Sequence, residues 1–255
     1  MSLEPDPELT DRIARIRHRI AEASVRSGRA PDAVRLVAVS KRQPLERVVG
    51  AVLAGVRDLG ENLVQEARDK REALLEAIGD APPPRWHLIG NLQRNKAGLA
   101  TRLFDRIETV DRARLADALA RQAEAAGKRL PILLQVNTSG EATKSGIAPE
   151  QLPELLAVCH RHPALEVVGL MAIPKASEAP DASRPDFARL RTLRDTLQTE
   201  PGGASLHELS MGMSNDFEAA IEEGATSVRV GTALFGERAT RPATGASRTE
   251  GARKP

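Results

Sequence analysis

Short apolar runs alternate with longer amphipathic stretches along most of the chain. Eight of the runs are brief, rich in aliphatic and β-branched residues, and several are apolar at nearly every position. Such runs are typical of parallel strands that are covered on both faces. They lie at 34–40, 57–61, 85–89, 106–110, 131–137, 165–173, 206–211 and 227–231. The pattern therefore predicts eight strands of one buried sheet.

Helical patterns fill the segments before and between these strands. An opening helix is predicted by four apolar residues on one face, Ile13, Ile16, Ile20 and Ala23. Further helices are predicted at 44–55, 63–78, 92–101, 112–126, 150–161, 186–199 and 215–223. Because parallel neighbours need crossover helices, the alternation predicts an α/β protein, a (β/α)8 TIM barrel with an extra N-terminal helix. A doubly wound open sheet is the structural alternative.

Length and charge refine this prediction. The chain has 255 residues, and barrels of about 250 residues are routinely one domain. We expect a single barrel at 1–239 and a disordered basic tail at 240–255. The whole chain has a formal net charge of +2, and the tail alone carries four basic residues and one acid. The barrel is therefore slightly acidic, and we expect no nucleic-acid partner.

The cysteine content, the apolar segments and one cysteine–histidine cluster indicate the cellular location and whether a metal site is expected. Cys159 is the only cysteine, so no intrachain disulfide is possible. The N-terminus lacks an apolar run and no segment reaches membrane-spanning length, so we expect a cytoplasmic protein without membrane contact. His160 and His162 follow Cys159 at the end of a predicted helix. Ligands at that spacing do not converge, so we expect no metal site.

Polar residues follow the predicted strands, where barrel active sites form. Lys41 ends the first apolar strand and precedes Pro44. Partial burial at the barrel mouth would favour a nucleophilic amine, as imine formation with an aldehyde requires. The alternative is a lysine that only extends its ammonium from a strand end into water.

A second candidate site, which would suit a phosphate, lies at the end of the last predicted strand. Gly231 and Thr232 open a short helical turn, where backbone N–H groups and a hydroxyl suit a phosphate. Ser210, at the end of strand seven, would add a hydroxyl; an ordinary turn is the alternative.

Strand alternation puts Arg229 deeper on the same side as Gly231. Its partner would be a ligand atom or an internal carboxylate. We interpret His87 as a core residue.

Taken together, these segments resemble the pyridoxal phosphate homeostasis protein family, whose barrel is similar to the N-terminal domain of alanine racemase, the type III fold of enzymes that use this cofactor. The resemblance extends in order from strand one to strand eight. The matching stretches are LVAVSKRQP (36–44), GENLVQEARDK (60–70), WHLIGNLQRNK (86–96), QVNTSGEATKSGI (135–147), GLMAIP (169–174) and HELSMGMSNDFEAAIEEGATSVRVGTALFGER (207–238).

The resemblance implies a covalent anchor and a phosphate site. Lys41 would hold pyridoxal 5′-phosphate as a Schiff base. Ser210, Gly231 and Thr232 would bind the phosphate through hydroxyls and backbone N–H groups.

The resemblance also implies contacts to the ring. Arg229 would face the pyridine nitrogen and Asn62 would line the ring pocket. Met211 would either pack against the ring or fill the barrel. Leu63 and Asn91 depart from residues common in the family, as does Leu88, and none of them touches the proposed anchors.

The implied function is a carrier that takes part in intracellular vitamin B6 homeostasis and transfers the cofactor, without catalysis. A cationic arginine disfavours protonation of the pyridine nitrogen, which weakens the ring as an electron sink. Racemases of this fold use a tyrosine from a second domain as one base, and this chain contains no tyrosine. The alternative is a racemase or lyase of narrow activity. We expect a monomer whose partners are the cofactor and apoenzymes that require it.

Overall fold

Eight parallel strands close into a barrel in the computed structural model, which describes residues 6–141, 144–175, 179–200 and 202–236. Each strand pairs with the next along the chain, and the eighth pairs with the first. The strands are β1 (Arg35–Val39), β2 (Asp58–Glu61), β3 (Arg85–Leu88), β4 (Arg106–Val110), β5 (Leu130–Gln135), β6 (Leu165–Met171), β7 (Glu208–Ser210) and β8 (Ser227–Val230). The predicted (β/α)8 barrel is confirmed, and the open sheet is excluded.

Helices precede, connect and follow the strands in the described ranges. They are α1 (Pro7–Arg26), α2 (Leu45–Leu53), α3 (Val64–Ile78), α4 (Ala97–Leu103), α5 (Ala113–Ala125), α6 (Leu152–His160), α7 (Arg184–Gln198), α8 (Phe217–Glu222) and α9 (Thr232–Phe235). The helix predicted at 92–101 begins later, because Arg94–Lys96 forms a 3-10 turn ahead of α4. Such tight turns are frequent at helix starts.

The N-terminal helix has the predicted buried face. Asp6 caps α1, because its side chain accepts a hydrogen bond from the Glu8 N–H. All four apolar residues that predicted this helix are buried, Ile13, Ile16, Ile20 and Ala23. They pack the helix against α2, α8 and α9. Burial of this stripe therefore attaches α1 to the outer layer of the barrel.

Two other predictions concern the division of the chain at residue 239 and the lack of membrane-spanning segments. The predicted tail at 240–255 and the last barrel residues, 237–239, lie outside the described residues, so the division at 239 stays a prediction. In the described part of the chain, no helix combines the length and the apolar character that a membrane crossing requires.

The register of the barrel decides which strand ends are neighbours. Ala38 of β1 pairs with Val230 of β8, so the segments that follow these two strands leave the barrel side by side. Ser210, the last residue of β7, pairs with Ser227, the first residue of β8, and the Arg229 N–H donates to the Gly212 carbonyl at 3.0 Å, so the segment after β7 runs along β8 towards the mouth. The carboxyl ends of β7, β8 and β1 therefore form one continuous part of the mouth.

Candidate functional site

A cavity of about 330 Å³ opens at this part of the mouth. Small-molecule sites in proteins typically have volumes of about 300–1,000 Å³. The residues that line it come from the segments that end or follow β1, β7 and β8, and they include Lys41, Gln43, Ser214, Asp216, Arg229, Gly231 and Thr232. The cavity therefore combines one lysine and one arginine with two hydroxyl groups and a glycine turn.

Lys41 lies in a tight turn directly after β1. The Gln43 N–H donates to the Ser40 carbonyl at 3.1 Å, and Arg42 between them has a φ of +57°. Left-handed backbone is uncommon outside glycine, and such strain is often found at functional sites. The turn holds Lys41 partly exposed at the cavity.

Two side chains of α3 fix the backbone on both sides of Lys41. Lys70 Nζ donates to the Ser40 carbonyl at 2.7 Å, and it also contacts Glu66 Oε1 at 2.7 Å. The Glu66 carboxylate in turn accepts a hydrogen bond from the Arg42 N–H. The ion pair of Lys70 and Glu66 therefore hydrogen-bonds to the backbone of the residues on either side of Lys41.

Beneath this ion pair lies a buried carboxyl group. Glu61 Oε1 accepts hydrogen bonds from Ser40 Oγ at 2.8 Å and from Lys70 Nζ at 3.0 Å, while Oε2 has no partner among the described residues. Burial raises the pKa of Glu61, although Lys70 and Ser40 lower it in part. Through its contacts with Ser40 and Lys70, this group ties the end of β2 to the Lys41 turn.

The opposite wall of the cavity is formed by two loops bound to each other. Ser214 Oγ accepts a hydrogen bond from the Ala233 N–H at 3.2 Å, which joins the segment after β7 to the turn after β8. The bend that leads to Ser214 requires Gly212, whose φ is +90° and where an added Cβ would lie 2.6 Å from Ala220 Cβ. The hydroxyls of Ser214 and Thr232 therefore line the cavity beside Gly231.

Arg229 forms part of the cavity lining although only 3% of its surface is exposed. Its Nη1 donates to Ser210 Oγ at 2.6 Å, and its Nη2 donates to the Ala172 carbonyl at 2.8 Å. Burial lowers the pKa of Arg229, while the carboxylates of Glu108 and Asp216 raise it. Arginine stays protonated even when its pKa falls, so a cation lies in the cavity wall.

The structure brings together four of the seven residues that were predicted to bind a cofactor. Lys41, Arg229, Gly231 and Thr232 all line the cavity.

The other three predicted residues lie elsewhere. Ser210 and Met211 are fully buried, and the Ser210 hydroxyl is already bonded to Glu108 and Arg229. Asn62 is half-buried at the end of β2, where its backbone lies against Gly90. None of the three is among the residues that line the cavity.

Ser214, which lines the cavity, was not among the predicted residues, whereas Ser210 was. Both hydroxyls occur in the stretch SMGMS, and only the bend at Gly212 decides which one reaches the mouth. Asp216 was also missed; its Oδ1 accepts a hydrogen bond from the Met213 N–H at 2.6 Å and closes the turn that carries Ser214. The run Ser214-Asn215-Asp216 consists of turn-forming residue types, which is a signal that could have found both.

The cysteine and histidine segment has other partners. Burial raises the pKa of the Cys159 thiol to about 12, so it has little thiolate character. His162 Nε2 lies 2.9 Å from Asp117 Oδ1. Among the described residues, no group of three or more histidine, cysteine, aspartate or glutamate side chains is arranged to hold a metal ion.

Comparison with known proteins relates the sequence of this chain to one protein family. The family model described as alanine racemase, N-terminal domain, matches residues 12–239. A pyridoxal phosphate homeostasis protein of Pseudomonas aeruginosa is 46% identical over 230 residues, which cover 90% of this chain and 96% of that protein.

Two solved structures extend the comparison to the fold. PipY of Synechococcus elongatus PCC7942, in a structure with PLP bound, is 37% identical with a TM-score of 0.75. The match covers 89% of this chain and all of that one. A protein of Bifidobacterium adolescentis is 39% identical with a TM-score of 0.82, over 89% of this chain and 94% of the other.

Proposed function

The chain belongs to the pyridoxal phosphate homeostasis protein family, and from this premise we propose that it binds pyridoxal 5′-phosphate in the mouth cavity as a Schiff base on Lys41. The observation that carries the proposal is the meeting of four groups at one cavity, Lys41, Arg229, Gly231 and Thr232. A primary amine, a cation and a hydroxyl-bearing glycine turn are the chemical groups that a phosphorylated pyridine aldehyde requires.

Each part of the cofactor has a residue of matching chemistry. The Lys41 amine is the nucleophile for the aldehyde. Thr232 and Ser214 offer hydroxyls to the phosphate beside Gly231, whose lack of a side chain leaves the backbone accessible. Arg229 offers a donor to the pyridine nitrogen. When bound, the cofactor would supply the aldehyde and an electron-withdrawing ring.

A carrier role follows from the charge on Arg229. A fixed cation beside the pyridine nitrogen disfavours its protonation and weakens the ring as an electron sink. A second base on the opposite face would also be needed for racemisation, and the 255 residues contain no tyrosine for that role. The chain is therefore suited to holding the cofactor and releasing it to apoenzymes that require it, as a monomer in the cytoplasm.

An absorbance spectrum of the protein mixed with pyridoxal phosphate tests the Schiff base. We expect an imine band that sodium borohydride abolishes, and we expect both to be lost in Lys41→Ala. Lys175→Ala is the matched control, because Lys175 is exposed and pairs only with Glu141 at 3.5 Å among the described residues. Retention of the reducible band in Lys41→Ala would reject the assignment of Lys41.

A racemase or lyase of narrow activity is the competing function, and the match to the alanine racemase domain favours it. Incubation of the loaded protein with amino acids in D2O separates the two functions. The carrier role predicts no exchange of the Cα proton above that caused by free pyridoxal phosphate. Exchange at enzymatic rates that depends on Lys41 would reject the carrier and support the enzyme.

A further inference from the structure

A continuous chain of buried polar side chains crosses the barrel interior and ends at the cavity. Its members come from five strands: Asp58 (β2), His87 (β3), Glu108 (β4), Ser210 (β7) and Arg229 (β8). No member exposes more than 4% of its surface. Buried polar groups are costly unless they are paired, so an array of this size needs an explanation.

The hydrogen bonds of this array have a fixed direction. Arg229 Nη1 donates to Ser210 Oγ at 2.6 Å, and Ser210 Oγ lies 2.6 Å from Glu108 Oε2. A hydroxyl carries one proton, and Ser210 must give it to Glu108 because the guanidinium only donates. The carboxylate of Glu108 is therefore linked to the cation of Arg229 through a single oriented hydroxyl.

The other end of the array fixes the charge of the histidine. His87 Nδ1 lies 2.6 Å from Glu108 Oε1, and Nε2 lies 2.9 Å from Asp58 Oδ1. An ionised carboxylate only accepts, so both ring nitrogens must donate, and a ring that does so is an imidazolium. Opposite charges then alternate along the array from Asp58 to Glu108.

The charged groups around the array agree with this assignment. Burial would raise the pKa of Glu108, but His87, Arg106 and Arg229 lower it to about 2. Burial would likewise lower the pKa of His87, and its hydrogen bonds to Asp58 and Glu108 raise it above the ordinary value, against the repulsion of Arg106. Glu108 therefore stays ionised at neutral pH.

We propose that His87, Glu108 and Ser210 are positioning residues for Arg229, which orient its guanidinium in the cavity wall and balance its charge. The inference rests on the proposed function, because Arg229 acts on the cofactor only if the cavity binds it. The imidazolium keeps Glu108 ionised, and Glu108 orients Ser210. Ser210 then leaves the remaining N–H groups of Arg229 for the Ala172 carbonyl and the cavity. A protein fold alone would be served equally well by apolar residues here.

Ser210→Ala tests this role, because it breaks the link and leaves all four charges in place. We expect about tenfold weaker binding of pyridoxal phosphate, as for the loss of a hydrogen bond to a charged group. We also expect the imine band to titrate at a different pH, because Arg229 is no longer held. Ser210→Thr, which keeps the hydroxyl, should restore both properties.

The matched control is Ser227→Ala. Ser227 is equally buried on the neighbouring strand, and its hydroxyl has no partner among the described residues. If Ser210→Ala and Ser227→Ala give the same affinity and the same titration, the positioning role is rejected and the array is only structural. If the wild type forms no borohydride-reducible adduct, the proposed function fails and this inference fails with it.

Nuclear magnetic resonance of the protein without cofactor gives an independent readout. The 15N shifts of the His87 ring should show two protonated nitrogens at pH 6.5, where an ordinary imidazole is only half protonated. A neutral ring at that pH would overturn the inference even if the cofactor binds normally on Lys41.

Discussion

The mouth and the interior of the barrel both contain ionised groups, but these groups differ in their exposure and in their partners. At the mouth, Lys41 is partly exposed in a turn with left-handed backbone at Arg42. In the interior, His87 and Glu108 are almost completely buried and bonded to each other. The mouth thus carries strain and polar groups that face a cavity, while interior charges are neutralised by their neighbours.

This difference separates groups that act on a ligand from groups that support them. A side chain that faces the cavity can contact a ligand there, whereas removal of one partner of a buried pair leaves an isolated charge. We therefore expect substitutions at the mouth to change binding more than stability. Substitutions in the interior should change stability as well as binding.

The largest effect is expected for Glu108→Gln in the interior. Loss of this carboxylate leaves the cations of His87 and Arg229 without their shared counter-ion, and we expect a loss of roughly 3–5 kcal/mol in the free energy of unfolding. Denaturant titration of the protein without cofactor measures this loss. Glu150→Gln is the control, because Glu150 is exposed, and it should change stability by less than about 0.5 kcal/mol.

The same variant should change the pH profile of stability. The pKa of Glu108 is lowered in the fold from 4.5 to about 2, so its contribution is present above pH 4.5 and lost as the pH falls towards 2. The pKa of His87 is raised from 6.5, so its contribution is full below pH 6.5 and lost as the pH rises through the raised value. The difference between wild type and Glu108→Gln should therefore be largest between about pH 5 and pH 6.5. A difference that is constant with pH would contradict the charged pair.

A smaller and more selective effect is expected for Ser214→Ala at the mouth. If Ser214 contacts the phosphate, the variant should bind pyridoxal phosphate about tenfold more weakly. It should bind pyridoxal, which has no phosphate, as the wild type does. Equal weakening for both ligands would mean that the Ser214 hydroxyl only supports the loop through the Ala233 N–H.

The smallest effect is expected for Arg42→Gly. Glycine removes the strain of left-handed backbone, roughly 1–2 kcal/mol, but adds entropy to the unfolded chain, about 0.4–1 kcal/mol, so the two terms partly cancel. Stability should therefore rise by about 1 kcal/mol or less, whereas the β-branched Arg42→Val should lose about 1 kcal/mol or more. Equal thermal midpoints for both variants would show that Arg42 is not strained.

The architecture could be predicted because each strand and helix has its own local pattern. All eight predicted strands exist, and the buried face of α1 consists of the predicted residues. The start of α4 could not be placed, because 3-10 turns are frequent at helix ends and the apolar pattern does not mark where the α-helix itself begins.

The site was harder to predict because it depends on loop geometry and on register. Lys41 and Gly231 could be assigned to strand ends, but the choice between Ser210 and Ser214 is made by the bend at Gly212. The sequence indicated only one part of the interior array of buried polar side chains. His87 lies inside a buried apolar run, which implies a polar partner.

The identity of that partner depends on register across the strands. Glu108 lies two residues after Arg106, which pairs with His87, and no local pattern in either segment records this pairing. The link from Glu108 to Ser210 joins residues that are 102 positions apart in the sequence. Contacts of this kind are specified by barrel closure, so the sequence alone could not reveal the array.

The most direct test of the account is the location of the covalent link. The wild-type protein is incubated with pyridoxal phosphate, reduced with borohydride, digested and mapped by mass spectrometry. We expect one stoichiometric pyridoxyl adduct, on Lys41. An adduct on Lys70 or Lys144 with Lys41 unmodified would contradict it.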